Sequence, residues 1–292
     1  MSFVIATDTS ANLPTPYTRQ HGIIVTPFTY HIDGQEYSCV DTESFDGDSY
    51  FASLKDGPRV TTSQIPPQRY IDNWLPALMA GKDLVFIGMS SGISGSYASA
   101  EVAAMQLREQ FPDRSIYTID TLAASLGEGL QVIHAVNWRA AGLTAQETAH
   151  LLLSRRENLC QTVLLEDLMF LKRGGRLPGV TAVVGTVLGI RPMLKGSREG
   201  TFASCGKVRS RKAGLAALAE RYEKLSVEPG EQIVAISYTD CRADAERLAE
   251  MLRQIAPPKQ ILLEQYEPVT GSYLGPGAVA LFFEGDKNVR DA

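Results

Sequence analysis

The sequence is poor in the residues on which most catalytic and metal centres depend. Histidine occurs only four times in 292 residues, and none of the four lies beyond residue 150. The four cysteines are far apart and form no Cys-x-x-Cys pair, which disfavours structural zinc or a redox motif. No Gly-x-x-x-x-Gly-Lys-Ser/Thr run is present, so we do not expect the chain to bind and hydrolyse ATP by itself. We therefore predict no catalytic residue, no metal and no cofactor.

Charge and hydropathy disfavour further classes of protein. The net charge is −5 and the isoelectric point about 5.5, which leaves no overall basic footprint for DNA or RNA. The longest stretch of low charge, residues 180–192, is too short to span a bilayer, so we expect no stable membrane insertion. The first residues have no basic segment and reach Asp8 early, unlike a signal peptide. We expect a cytoplasmic protein.

The order of the predicted elements indicates an α/β fold of two domains. Strands and helices alternate up to about residue 142, which is typical of a mostly parallel sheet flanked by helices. Hairpin-like strands follow, so we predict a mixed-sheet α/β domain over residues 161–292 after a first domain over 1–160. The final strand is a candidate to return toward the first domain. The predicted strands are 3–7, 23–30, 83–88, 115–119, 162–165, 191–195, 201–208, 232–238, 260–266 and 278–284. The predicted helices are a short one between Pro14 and Gly22, then 45–54, 67–79, 94–110, 126–141, one beginning at a Thr144–Glu147 capping box, 211–225 and 243–255.

Three short runs of small hydroxyl residues or glycines stand where a strand should pass into a loop. They are Thr61–Gln64, Ser90–Ser96 and Gly275–Gly277. Together they predict a socket of neutral hydrogen-bond donors for a compact polar head group. Such a socket favours a binding protein over an independent catalyst.

Each run also has a purely structural interpretation. Ser94 is a plausible helix N-cap, Thr61–Ser63 a β-turn, and Gly275–Gly277 a tight turn into a strand. Asp8 with Ser10, at the end of the first strand, is either an Asx turn or part of a ligand site at the sheet edge. Two basic runs, 172–176 and 207–212, are either solvated helix ends or a surface for an anionic partner.

A serine hydrolase is the main alternative function. Gly88, Ser90 and Gly92 match the Gly-x-Ser-x-Gly nucleophile elbow in a strand–turn–helix context. That mechanism needs a histidine base, normally downstream of the serine and close to the C-terminus. The four histidines are His21, His31, His134 and His150.

The ordered set of motifs resembles the DegV family of lipid-binding proteins, which includes the fatty-acid-binding subunits of bacterial fatty acid kinase. The resemblance covers nearly the whole chain. The runs that carry it are Thr7–Pro14, Thr61–Gln64, Ser90–Tyr97, Asp120-Thr121, Leu171–Arg176, Ile190–Leu194 and Gly275–Gly277. The resemblance implies two α/β domains with one fatty acid in a tunnel between or within them.

The resemblance also implies roles for individual residues. The positions matching Thr62 and Ser94 hold the fatty acid carboxylate, and in kinase systems a separate ATP-binding subunit phosphorylates it. We add neighbouring residues to these two positions as predicted sites. The predicted carboxylate-binding residues are Thr62, Ser94, Thr61, Ser63, Gly95 and Tyr273. The predicted tunnel or loop-support residues are Asp8, Ser10, Gly275, Gly277, Val184 and Leu188. The predicted partner-docking residues are Arg173, Arg176, Arg209 and Arg211.

The chain departs from the family pattern at three positions. Tyr273 stands two residues before the Gly-Pro-Gly turn, where family members often have a histidine. Ser96 replaces a common threonine, and Ile65 replaces the proline that usually follows the Thr-Thr-Ser-Gln run. A tyrosine hydroxyl donates only weakly to a carboxylate, whereas a histidine can donate and carry charge. The alternative to a kinase subunit is therefore a lipid sensor without a kinase partner.

Overall fold

The computed structural model describes residues 3–55, 57, 59–177 and 189–292. The strands in chain order are β1 Phe3–Asp8, β2 Ile24–Thr26, β3 Thr29–Ile32, β4 Gln35–Ser38, β5 Val60–Ser63, β6 Asp83–Gly88, β7 Ile116–Asp120, β8 Leu159–Leu164, β9 Arg191–Gly196, β10 Phe202–Val208, β11 Ile233–Tyr238, β12 Gln260–Gln265 and β13 Val279–Glu284. The α-helices are α1 Thr15–Gln20, α2 Gly47–Ser53, α3 Pro67–Met79, α4 Ser96–Gln110, α5 Leu126–Ala140, α6 Ala145–Arg155, α7 Met169–Arg173, α8 Arg211–Leu225, α9 Arg242–Ile255 and α10 Pro268–Leu274. In this part of the chain no helix has both the length and the apolar character needed to cross a membrane.

The chain divides into two compact units. The first consists of Met1–Phe45 and Thr61–Arg156, and the second of Asp46–Val60 and Glu157–Ala292. Residues 46–60, which carry α2, thus group with the later part of the chain. The domain division at residue 160 remains a prediction from the sequence.

The first unit contains a parallel sheet with strand order β2-β1-β6-β7. A small sheet of order β4-β3-β5 belongs to the same part of the chain. The core of the first unit includes Tyr70 and Trp74 of α3, which pack on Phe86 of β6 with ring centroids 5.1–5.2 Å apart. The predicted capping box of α6 is confirmed, because the Thr144 and Glu147 side chains each accept the backbone N–H of the other residue.

The second unit contains a mixed sheet with strand order β10-β9-β8-β13-β11-β12. Only the β11–β12 pair is parallel among its pairings. The predicted hairpin is confirmed as the antiparallel pair β9–β10. Tyr222 of α8 packs edge-on against Phe283 of β13 within this unit's core. The predicted fold class, a mostly parallel first sheet and a mixed second one, is confirmed.

The prediction of one strand over residues 23–30 is wrong. β2 joins the parallel sheet and β3 the small sheet, with Pro27 and Phe28 between them. Proline has no N–H for a sheet ladder, and the Phe28 N–H instead donates to Thr9 Oγ1 at 3.0 Å. Four short elements, β4, β5, α7 and α10, were not predicted from the sequence. The low-charge stretch 180–192 predicts a buried helix or a helix plus turn; residues 178–188 lie outside the described residues, and Arg191 and Pro192 begin strand β9.

Candidate functional site

Three neighbouring strands of the parallel sheet end at the same edge in the first unit. β1 ends at Asp8, β6 at Gly88 and β7 at Asp120. The carboxyl edge of an open α/β sheet is where such folds bind ligands. The loop after β6, which contains Ser90–Ser96, begins at this edge and leads into α4.

Ser94 is presented by a tight loop and not by the helix itself. The Ser94 N–H donates to the Ser90 carbonyl at 3.2 Å, and Ser94 Oγ accepts from the Ser96 N–H at 3.2 Å. The N-cap residue of α4 is Gly95, which makes no side-chain capping bond, so the N-cap interpretation of Ser94 is wrong. Ser94 is half-buried, and its oxygen lies 3.1 Å from Ser96 Oγ.

The Thr61–Gln64 run is attached to the same loop. Its hydroxyl residues lie in β5, so the β-turn interpretation is wrong; Thr62 is half-buried, whereas Thr61 and Ser63 are exposed. The Ile65 N–H donates to the buried Ser96 Oγ at 3.0 Å. A Cβ on Gly95 would lie 2.1 Å from the Gln64 amide oxygen, so the missing side chain permits this close approach. Two motifs separated by some thirty residues are thus packed together.

Ser90 does not have the environment of a hydrolase nucleophile. It is fully buried, and its Oγ accepts from the Gly92 N–H at 3.1 Å. A nucleophile elbow exposes its serine hydroxyl and pairs it with a histidine. The histidines have other neighbours or lie at the surface: His21 packs on Tyr17, His31 pairs with Glu36, His134 stacks on Trp138 and His150 is exposed. The geometry therefore disfavours the hydrolase alternative.

A buried acidic cluster lies at the end of β1. Asp8 is 1% exposed and accepts from the Ser10 N–H at 2.9 Å and from the Met89 N–H at 3.4 Å. Ser10 Oγ is 2.5 Å from both Asp8 Oδ1 and Glu128 Oε2. Burial raises the pKa of the Asp8 carboxyl to about 6, although the hydrogen bonds from Ser10 and Met89 oppose this shift. Glu128 was not among the predicted site residues, and its one signal in the sequence is a charged residue between two glycines at the start of an apolar helix.

We expect Asp8→Asn to change how stability depends on pH. The raised pKa means that the folded protein holds this proton more tightly than the unfolded chain does. The free energy of unfolding should therefore fall as pH rises from about 4 to about 6, by about 3 kcal/mol at most. Asparagine does not ionise and should remove this decline.

Urea unfolding at a series of pH values tests this expectation. Both tryptophans, Trp74 and Trp138, lie in the same unit as Asp8, so tryptophan fluorescence reports on the relevant part of the chain. Equal declines in the wild type and in Asp8→Asn would contradict the expected result.

In the second unit, the Gly275–Gly277 turn packs against the segment around α7. α10 ends at Leu274, its C-cap residue Gly275 has φ +76°, and the turn continues to Gly277, with φ +78°. A Cβ on Gly275 would lie 2.3 Å from the Phe170 ring, and one on Gly277 would lie 2.5 Å from Glu166 Cγ. The turn is thus built directly against the segment that leads into and forms α7.

Tyr273 and Arg176 form a pair in the second unit. The Arg176 guanidinium lies over the Tyr273 ring, 4.7 Å from its centroid, in a cation–π contact. A Cβ on Gly174 would lie 2.2 Å from the same ring, and the Arg176 side chain donates to the Gly174 carbonyl at 2.6 Å. Both side chains are half-buried. The position where family members often have a histidine is therefore packed against a fixed positive charge.

The other basic residues predicted for partner docking differ in environment. Arg173 and Arg209 are exposed. Arg211 is largely buried and donates to Asp244 at 2.7 Å, to Glu166 at 3.4 Å and to the Gly277 carbonyl at 2.5 Å. Its guanidinium therefore supports the Gly275–Gly277 turn.

Comparison with known proteins places the chain in a family. A family model described as "Uncharacterised protein, DegV family" matches residues 2–286. The chain belongs to the DegV family. A DegV domain-containing protein of Clostridium perfringens is 35% identical over 285 residues, which cover 97% of this chain and 98% of the relative.

Solved DegV structures share the fold. One is the structure of a DegV family protein from Thermus thermophilus that is reported to bind fatty acid. It has a TM-score of 0.87 and 26% sequence identity, and the match covers 98% of this chain and 100% of that one. The Streptococcus pneumoniae Fatty Acid Kinase B3 protein, loaded with linoleic acid, has a TM-score of 0.84 and 21% identity, covering 98% and 100%. The expected family and fold are thereby confirmed.

The DegV motifs fall into two groups within the described residues. The first unit brings together the Thr61–Gln64 run and the Ser94–Gly95 loop, with Asp8 and Ser10 at the same sheet edge. The second unit brings together the Gly-Pro-Gly turn, Tyr273 and the arginines at 176 and 211. Val184 and Leu188, predicted to line an acyl tunnel, lie outside the described residues. Among the described residues, no group of three His, Cys, Asp or Glu side chains is arranged to hold a metal ion.

Proposed function

We propose that this chain binds one long-chain fatty acid and holds its carboxylate through threonine and serine hydroxyls. The observation that carries the proposal is the packing of the Thr61–Gln64 run against the loop that presents Ser94. Membership of the DegV family supports it, as does the 26% identical Thermus thermophilus protein described by its fatty acid binding.

Neutral donors suit a carboxylate that must remain chemically accessible. Thr62 and Ser94 are the main proposed donors, with Thr61, Ser63 and Gly95 beside them. The amino end of the 15-residue helix α4 follows at once, and the partial positive charge of a helix N-terminus favours an anion. Tyr273, at the position where family members often have a histidine, is also proposed to donate a hydrogen bond to the carboxylate.

Burial of the acyl chain supplies most of the affinity. At about 0.8 kcal/mol per CH₂, roughly fifteen methylenes contribute about 12 kcal/mol before the cost of lost translational freedom. Micromolar or tighter binding is therefore expected. Val184 and Leu188 remain the predicted lining of the tunnel, and Asp8, Ser10, Gly275 and Gly277 are proposed to support its loops.

The partner proposed for the loaded protein is a separate ATP-binding kinase subunit that phosphorylates the carboxylate. Arg209 and Arg173 are exposed and suited to docking, whereas Arg176 and Arg211 make the internal contacts described above. The alternative is a lipid sensor without a kinase partner, which the Arg176–Tyr273 pair in place of a histidine favours. Both alternatives share the same fatty acid site.

We expect Arg209→Glu to weaken association with a fatty acid kinase ATP-binding subunit without weakening fatty acid binding. Reversing one charge in an electrostatic interface mainly slows association and changes its salt dependence. The measurement is co-purification and acyl phosphate formation with that subunit. Arg253→Glu, at an exposed position on α9, is the matched control. Equal effects of the two variants would contradict docking at Arg209, and no association of the wild type would favour the sensor.

The proposed function itself is tested by solvent extraction of the purified protein followed by mass spectrometry. A fatty acid in near-equal molar amount to protein is the expected result. An empty extract, repeated after incubation with mixed fatty acids, would refute fatty acid binding.

A further inference from the structure

Four short contacts around Glu128 require more hydrogen atoms than the hydroxyl groups provide. Thr7 Oγ1 lies 2.8 Å from the Ile87 carbonyl oxygen and 2.9 Å from Glu128 Oε1. Ser10 Oγ lies 2.5 Å from Asp8 Oδ1 and 2.5 Å from Glu128 Oε2. The two hydroxyl groups together carry two hydrogens, so they can donate in only two of the four contacts.

The missing hydrogens must come from the carboxyl groups. A carbonyl oxygen only accepts, so the Thr7 hydrogen is used on Ile87 and Glu128 Oε1 must donate to Thr7. The Ser10 hydrogen serves either Asp8 or Glu128. The two hydroxyl hydrogens and one carboxyl proton on Glu128 therefore account for three of the four contacts. A second carboxyl proton, donated to Ser10 Oγ by the carboxyl that Ser10 does not donate to, accounts for the fourth. The geometry is that of a carboxyl pair that holds protons.

A second observation points to the same place. Tyr70 of α3 is fully buried, and its hydroxyl has no hydrogen-bond partner of good geometry. Burial raises the pKa of its phenol well above the usual value, and the charges of Asp8 and Glu128 raise it further. A buried hydroxyl without a partner is costly unless it gains an acceptor. The buried, unpartnered phenol is thus a polar group that responds electrostatically to the same two carboxyl groups.

The cluster is connected to the candidate head-group loop. Asp8 accepts from the Met89 N–H, at the residue before Ser90, and the Ser90 carbonyl accepts from the Ser94 N–H. Ser94 Oγ is also 3.1 Å from Ser96 Oγ, beside Tyr70. Tyr70 of α3 is a titratable group that responds to the charges of both carboxyls, Asp8 from β1 and Glu128 from α5.

From these contacts we infer that Asp8 and Glu128, bridged by Ser10, form a buried proton-binding site that takes up a proton when an anionic head group binds at Ser94. The inference deepens the proposed function and rests on it for the identity of the anion. A second negative charge nearby, in a medium of low dielectric constant, disfavours the ionised pair and so raises its proton affinity. By thermodynamic reciprocity, protonation of the pair raises the affinity of the site for the anion by the same factor.

Asp120 provides a matched contrast within the same sheet edge. Its carboxylate accepts from the Ser91 hydroxyl at 2.5 Å, from the Ser91 N–H at 3.2 Å and from the Leu122 N–H at 3.1 Å. Every one of these contacts has its own donor hydrogen. The hydrogen count around Asp120 therefore balances without a hydrogen from the carboxyl group itself.

The first test is calorimetric titration with a long-chain alkyl sulfonate, which remains ionised and cannot itself take up the proton. Titrations in two buffers of different ionisation enthalpy measure the protons taken up per ligand bound. We expect uptake in the wild type, and an affinity at least about fivefold higher at about pH 5.5 than at about pH 8, the lower end of usual site coupling. No uptake and no pH dependence in a protein that binds the sulfonate would overturn the inference.

Variants locate the proton. Glu128→Gln replaces a protonated carboxyl by an amide that can still donate to Thr7 and accept from Ser10, so we expect it to fold and to lose most of the proton uptake. Asp120→Asn should retain the uptake. Equal uptake in the wild type and in Glu128→Gln, or its loss in Asp120→Asn alone, would place the proton elsewhere and refute the assignment.

Infrared spectroscopy of the lipid-free protein separates this inference from the proposed function. A protonated carboxyl band near neutral pH, absent from Glu128→Gln or Asp8→Asn, supports the proton site even if neither fatty acid nor sulfonate binds. Fatty acid binding without such a band would support the proposed function and overturn the proton site.

Discussion

Replacing Thr62 and Ser94 together by alanine is expected to weaken fatty acid binding by a factor of about 100 or more. Each hydroxyl is proposed to donate to a charged carboxylate, and hydrogen bonds to charged groups contribute about 1.5–3 kcal/mol each. Two such losses amount to about 3–6 kcal/mol, and every 1.4 kcal/mol is a factor of ten in affinity. The acyl chain remains buried in the variant, so binding should be weakened and not abolished.

The measurement is direct titration of lipid-free protein with a fluorescent fatty acid, followed by competition with oleate. Single variants should each show about half of the free-energy loss if the two donors act independently. Ser154→Ala is a suitable control, because the Ser154 hydroxyl is exposed on α6 and donates to its own helix at Leu151. Unchanged affinity in the double variant would remove both residues from the head-group site. Because Ser94 Oγ also accepts from the Ser96 N–H, a circular dichroism spectrum should confirm that the loop and α4 stay folded.

The second large effect is expected for Gly275→Ala, which should lower the free energy of unfolding by about 2–6 kcal/mol. Gly275 has φ +76° and ψ 177°, a region that is essentially restricted to glycine and costs other residues about 1–3 kcal/mol. The added methyl group would also meet the Phe170 ring at 2.3 Å, and overpacking typically costs about 1–3 kcal/mol. The two ranges together give about 2–6 kcal/mol, and a shift of the Phe170 ring that relieves the overlap would leave the loss in the lower part of that range.

Two other glycines separate backbone strain from steric overlap. Gly142 has φ +92° but nothing within 4 Å of its Cβ position, so Gly142→Ala should cost only about 1–2 kcal/mol. Gly206 has neither feature, and Gly206→Ala should stay within about 0.5 kcal/mol of the wild type. Chemical unfolding should be followed by circular dichroism, because both tryptophans lie in the other unit. A loss for Gly275→Ala no greater than that for Gly142→Ala would contradict the packing of the turn against α7.

Local sequence patterns predicted the long elements well. Helices α3 and α8 and strand β6 begin and end where the pattern places them, because each carries its own signal. Pro67 begins α3, an amphipathic or apolar period follows, and a glycine or polar break ends the element. The short elements β4, β5, α7 and α10 were missed because four to seven residues are too few for a period to stand out. The sequence predicted β2 and β3 as one strand because residues 23–30 are all β-branched or aromatic apart from Pro27. That the two halves pair in different sheets on either side of Pro27 is a tertiary feature.

For the candidate site, too, some features follow from the local sequence and others only from tertiary contacts. The sequence by itself determined the family, the α/β class and the hydroxyl and glycine runs, since these are properties of residue order. Only the tertiary structure decided that Ser90 is buried, that Arg211 supports a turn, that Arg176 covers Tyr273, and that Glu128 meets Asp8 through Ser10. These are contacts between residues up to 118 positions apart. Burial, desolvation and hydrogen-bond partners arise only when the packed chain brings such residues together, and no local pattern encodes them.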